Sequence, residues 1–208
     1  MKLLFKSSQG FVLLALSIFV LAGCGPRYKD QPDCGFVQNV YGERISWKDV
    51  GAIGLHIHES FPAEMRPALN KAMDQWSQAI GRPAFRIIQT NYQSKGPAQD
   101  GVNVVYWLKT WEAEKFTEQA RTTIYWVGDR IREADIRIND KNFDFYLETP
   151  SKYEDVHLES LLIHELGHVL GLRHKDSGES VMSTYLASRT SRTEISVIDQ
   201  ENLRCEYN

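Results

Sequence analysis

The chain has 208 residues, 42% of them hydrophobic and 25% charged. That balance suits one folded domain of ordinary size and excludes a repeat array or a low-complexity protein. The formal net charge is −3 and no basic block or arginine-rich stripe occurs, so nucleic-acid binding has no electrostatic support.

Lys2 and Lys6 precede the apolar run "FVLLALSIFVLA", Phe11 to Ala22. The run is too short to cross a bilayer as a helix and fits the core of a signal peptide. It ends in "LAGC", Leu21 to Cys24, which resembles the bacterial lipobox. The resemblance implies a signal peptide over residues 1–23, cleavage before Cys24, and lipid on that thiol and on the new amine. Several acyl chains anchor stably where one does not. Gly25, not aspartate, follows the cysteine, so the expected destination is the outer membrane or cell surface. An ordinary secretory signal that ends near a cysteine is the competing reading.

Residues 24–49 read as a lipidated tether and N-terminal segment, in which "GPRYKDQPDCG" is polar and rich in turn formers. The folded domain is expected over 50–208. "VGAIGLHIHES" alternates, with Ile53, Leu55 and Ile57 on one face and His56 and His58 on the other, which is a strand. No third ligand lies near those two histidines, so they read as surface groups of a sheet. Pro62 opens a predicted helix to about Ile80, with Met65, Leu69, Ala72, Met73, Trp76 and Ile80 at helical spacing and Gly81 as its stop. "AFRIIQT" and "GVNVVYWL" are two further strands, separated by a loop of turn formers. Residues 109–120 suggest a short helix, and Thr122 to Asn139 reads as two strands joined at "GD". A long helix is predicted from about Asp155 to Leu170, a loop from Leu172 to Thr193, and a last helix from about Glu194 to Cys205. Intermixed strands and helices predict a mixed sheet with helices packed on it. Cys34 and Cys205, an even pair in an exported chain, read as a disulfide between the N-terminal tail and the last helix.

The long helix carries "HELGHVLGLRH", residues 164–174. His164 and His168 lie four apart, one turn above the other on one helix face, where two imidazoles reach one metal ion. Glu165 lies about 100° further round, within reach of a water at that ion. Gly171 lacks a Cβ and can end the helix sharply at positive φ, which lets the chain turn back and bring His174 to the same ion. Three neutral histidines leave a fourth position open, the arrangement of a catalytic and not a structural zinc site. HExxH alone is a weak signal. The added glycine and third histidine at fixed offsets make it specific, and a plain helix of buried histidines gains nothing from that combination.

"HELGHVLGLRH" followed by "SVMS" resembles the metzincin pattern of a zinc helix and a methionine turn. The wording "ELGHVLGL", and Met182 eight residues after His174, resemble the matrixin branch most. "ADIRIND" resembles the edge strand ahead of the active-site helix in matrixins. "IHESFP", followed by a helix with Trp76, resembles their opening strand and helix, and "DQENLRCEY" their final helix. The resemblance implies an α+β, metzincin-like catalytic domain: a twisted mixed five-stranded sheet with an antiparallel edge strand, an active-site helix and a small C-terminal subdomain. It implies His164, His168 and His174 as ligands of one Zn2+, and Glu165 as general base and then general acid. Met182 would form a hydrophobic floor, with Asp199 supporting its turn. "EADIRIN" would offer a free edge to an extended polypeptide substrate.

The sequence departs from the family in several places. No histidine lies between His58 and His157, so a second, structural zinc is not carried over. Asp140, Asn142 and Asp144 alternate as oxygen donors and could hold Ca2+, or form a solvated acidic loop. His157, seven residues before His164 and on nearly the same helix face, reads as an exposed histidine of the first helical turn, with a supporting role behind the metal ligands as the alternative. Tyr185 stands three after Met182, not the two of metzincins with a tyrosine ligand. "VMSTY" lacks the tyrosine-proline usual after the methionine, which leaves the primed-side pocket undefined. "QPDCGF" faintly resembles the matrixin cysteine switch, a role for Cys34 that competes with the disulfide to Cys205. The expected function is a zinc-dependent endopeptidase, monomeric and held at a membrane by lipid. A catalytically silent, metzincin-fold binding lipoprotein is the alternative, and the presence of Glu165 favours the enzyme.

Overall fold

The computed structural model describes residues 31–176, 179–187 and 189–207. The expected signal peptide and Cys24 lie outside them. Five strands form one sheet in the order β2-β1-β3-β5-β4: β1 Ile53–His58, β2 Phe85–Tyr92, β3 Val104–Leu108, β4 Ala120–Val127 and β5 Arg130–Asn139. The first four in spatial order run parallel, and β4 closes the edge antiparallel to β5. The sequence assigned the edge role to "ADIRIND", and this is corrected by the structure. That segment is β5, paired to β3 on one side and to β4 on the other. The free edge belongs to β4, because the hairpin at Gly128 folds β4 onto the outer side of β5.

The alternation in β1 buries Ile53, Leu55 and Ile57 against the helices and turns His56 and His58 to the other face. A 3-10 turn over Ala63–Met65 follows Pro62, so the first α-helix, α1, begins at Arg66 and ends at Ile80. Gly81 stops it at φ 78°, a left-handed conformation that glycine adopts without strain. Leu69, Ala72 and Trp76 are fully buried on the face toward the active-site helix. Between β3 and β4 the expected short helix is a 3-10 turn, Ala113–Lys115.

The long helix, α2, spans Leu158–Val169 and starts later than its sequence predicts. The Asp155 carboxylate accepts the backbone N–H of Ser151 and of Lys152, each at 2.7 Å, and is taken up in that turn. Val156–His157 (β7) then pairs in parallel with Phe145–Tyr146 (β6) before the helix begins. His157 is consequently buried, not exposed. Its Nε2 donates to the Leu147 carbonyl at 3.0 Å, and Ser160 Oγ lies 2.7 Å from its Nδ1. The last helix, α3, covers Val197–Arg204 and opens with a capping box between Ser196 and Asp199.

The folded body begins well before residue 50. Phe36 and Ile45 are fully buried, and Trp47 lies in the same core. Phe36 bridges Leu172 and Ser46 bridges Arg130. Cys34 is disulfide-bonded to Cys205 across 171 residues, with Cα atoms 6.4 Å apart. The bond leaves Cys34 no thiol to act as a switch. Cys34→Ser is expected to lower unfolding stability by about 2–4 kcal/mol in denaturant titrations. Cys205→Ser should match it, and the double variant should lose no more than either single; additive losses would contradict the pairing.

Candidate metal centre

The site is built at the end of α2. Carbonyls in the last turn of a helix lack intrahelical partners, and here aromatic side chains from both ends of the chain supply them. Trp47 Nε1 donates to Val169 O at 2.7 Å, and the Tyr207 hydroxyl donates to Leu170 O at 2.6 Å. Gly171 then reverses the chain at φ 98°. A Cβ there would stand 2.3 Å from Ile45 O, so glycine is required by contact as well as by conformation. The returning chain, Gly171 to Arg173, pairs with Gly35 to Val37: Val37 N–H donates to Gly171 O at 2.9 Å, and Arg173 N–H to Gly35 O at 2.8 Å. The N-terminal segment thus forms the rail that delivers His174.

The three imidazoles converge. His168 Nε2 lies 3.1 Å from His164 Nε2 and 3.1 Å from His174 Nε2. His164 Nδ1 donates to the Val181 carbonyl and His168 Nδ1 to the Leu172 carbonyl, both at 2.8 Å. A carbonyl only accepts, so each Nδ1 carries a proton and each Nε2 is left to face the common centre, where a ligand lone pair is needed. Burial pushes the pKa of His164 down to about 3, helped by the neighbouring His168. Burial also lowers that of His174. Facing lone pairs repel unless a cation lies between them. Zinc with bonds of about 2.0–2.1 Å in a tetrahedron separates its nitrogens by about 3.3 Å, so this donor set fits that ion. Among the described residues, these three histidines are the group of His, Cys, Asp or Glu placed to hold a metal. In the candidate calcium run, Asp144 is ion-paired with Lys152, and Asn142 donates to Asn139 Oδ1.

Glu165 is 4% exposed and lines the same cleft, about 570 Å³ in volume, between α2 and the free edge of β4. Burial raises its pKa. Thr122 of β4 donates its hydroxyl to Glu165 Oε2 at 2.6 Å. Sequence reasoning missed Thr122, because a threonine pair in an alternating strand gives no sign of which element faces it. Tyr185, 73% exposed, lines the cleft together with Leu161, Thr184 and Leu186.

Beneath the histidines, Met182 is 1% exposed. Its turn hangs on Asp199, fully buried, which accepts Ser180 Oγ at 2.5 Å and Val181 N–H at 3.0 Å. Gly167, within the HELGH run, makes room for it. A Cβ at 167 would meet Met182 Sδ at 2.3 Å and Trp76 Cζ2 at 2.9 Å. Trp76 also donates its indole N–H to Ile163 O at 2.8 Å, which locks α1 against α2 at that level.

The family description Matrixin matches residues 55–208. The chain belongs to the matrixin family. No curated protein matches it at a significant level. The matched span holds all of the sheet but Ile53 and Gly54, with the histidine trio and the methionine turn of a matrixin domain, a zinc metallopeptidase-type fold. It begins after Cys34, Phe36 and Trp47, so the rail beside His174 is built from residues ahead of the matched span. Gly167→Ala is expected to destabilise this matrixin domain by about 1–3 kcal/mol through overpacking. Its melting temperature should also rise less with added zinc than that of the unaltered chain; an unchanged melt would contradict the contact with Met182.

Proposed function

We propose that the protein is an exported, lipid-anchored zinc endopeptidase that cuts extended polypeptide segments. The observation that carries this reading is the position of Glu165. It shares one cleft with the three histidines, and its carboxylate is held from the opposite wall by Thr122.

His164, His168 and His174 would hold the zinc, and the ion when bound supplies Lewis acidity that activates water and polarises a scissile carbonyl. The free edge of β4 offers unpaired backbone groups along the cleft, so a substrate segment binds as an added strand. Thr122 fixes Oε2 of Glu165, which leaves Oε1 to take the proton of the attacking water. The same group then returns the proton to the leaving amine. Leu161 and Leu186 give part of the cleft an apolar wall. A silent binding protein would have no use for a buried carboxylate oriented in this way.

Glu165→Gln keeps the shape and removes the base. With an unstructured protein as substrate, its cleavage rate is expected to fall at least about 100-fold. Bound zinc, counted by atomic absorption, should stay at one per chain, and a chelator should stop the unaltered protein. Cleavage that persists in the glutamine variant would refute the mechanism.

A further inference from the structure

Two loop tips lie side by side where the chain enters its described body. Gln31 is bonded to the loop 38–44: its N–H donates to Gly42 O at 3.2 Å, and its carbonyl accepts Gln38 Nε2 at 2.8 Å. That loop is a tight reversal closed between Asn39 and Glu43, and at its tip Val40 is 84% exposed and Tyr41 42%. Asn39 Nδ2 donates to Gly128 O at 3.1 Å, which joins this loop to the tip of the β4–β5 hairpin. On that second tip Val127 is 68% exposed and Trp126 46%. Four large apolar or aromatic side chains are therefore exposed on two joined loop tips at one end of the molecule, a surface that calls for a partner.

We infer that the paired tips, Val40 and Tyr41 with Trp126 and Val127, rest in the interface of the lipid bilayer that anchors the chain. This rests on the proposed lipid at Cys24. Six residues lie between Cys24 and Gln31, so the seven chain steps from one to the other reach at most about 25 Å. The tips beside Gln31 are thus held close to the bilayer whenever the lipid is inserted. Tyrosine and tryptophan suit that depth, since each has an apolar body and a polar atom for the headgroup layer. Of the basic groups nearby, Arg44 and Lys48 are paired with Glu206 and Arg130 with Asp49, while Arg132 on β5 is exposed. The four exposed tip side chains are apolar or aromatic, so the contact is expected to be mainly apolar and to hold on a neutral phosphatidylcholine surface.

The contact also orients the cleft. Thr122 and Ile124 of β4 line it, and β4 ends in the tip that carries Trp126 and Val127. One end of the substrate-binding edge then abuts the membrane, and the favoured substrates are extended segments of proteins at the same surface.

The test uses the full lipidated chain in phosphatidylcholine vesicles, with an environment-sensitive fluorophore on a cysteine at position 127 or, as a control, at position 116. Phe116 is exposed ahead of the opposite end of β4. A spin-labelled lipid should quench the label at 127 several-fold more than the label at 116, with no dependence on salt. Val40→Ser with Tyr41→Ser should cut the quenching at 127 at least twofold and leave cleavage of a dissolved unstructured protein unchanged. Equal, weak quenching at both positions in vesicle-bound protein would overturn the inference. So would a spectral shift at 127 that depends on protein concentration without vesicles, which would assign the tips to a second copy of the chain. Mass spectrometry of the mature N-terminal peptide separates the two levels: an acyl-free Cys24 refutes the anchor, while weak quenching with lipid present refutes only the contact.

Discussion

The reversal of the chain at Gly171 is the constraint on which the rest of the structure depends. Two histidines one turn apart are a property of any helix. A third that meets them needs the helix to stop within three residues and turn back on itself. That turn exposes carbonyls with no helical partner, and buried carbonyls must be satisfied. Trp47 and Tyr207 do this from opposite ends of the chain. The strand-like rail of Gly35 to Val37 then guides the returning segment, and the disulfide between Cys34 and Cys205 ties that rail to the terminal helix. Residues 34–47 and the terminal helix with Tyr207 therefore support the metal centre, although neither segment supplies a ligand.

A second set of contacts fixes the level of the ligands against the rest of the core. Met182 fits under the histidines because position 167 carries no side chain, and Trp76 uses the same gap from α1. Asp199 joins the methionine turn to the capping box of α3, so one buried carboxylate serves a helix start and the floor of the site. Across the cleft, the hydroxyl of Thr122 connects the free edge of the sheet to Glu165. The strand proposed to receive a substrate is thereby the strand that orients the proposed base.

Much of this is legible in the sequence, and the failures have physical causes. The histidine spacing reads directly because the helical period places i and i+4 on one face. The hairpin around Gly128 reads equally well. Which of its strands lies outside does not: "RTTIYWV" and "EADIRIN" both alternate, and only pairing with β3 decides. Asp155 has the look of a helix cap, yet two backbone N–H groups of the preceding turn claim it. The N-terminal segment reads as a tether because Phe36, Ile45 and Trp47 follow no period. They are buried one at a time, by tertiary contact. Gly167 is silent in sequence for a related reason, since its role is set by a methionine 15 residues away.

The central claim is that three histidine Nε2 atoms share one zinc and leave an open fourth position. X-ray absorption at the zinc edge of the metal-loaded, disulfide-intact protein tests it most directly. The account predicts a first shell of three nitrogens and one light oxygen donor at about 2.0–2.1 Å, with no sulfur. A scatterer at about 2.3 Å, the distance of a thiolate, would contradict it, as would a shell closed by four protein ligands.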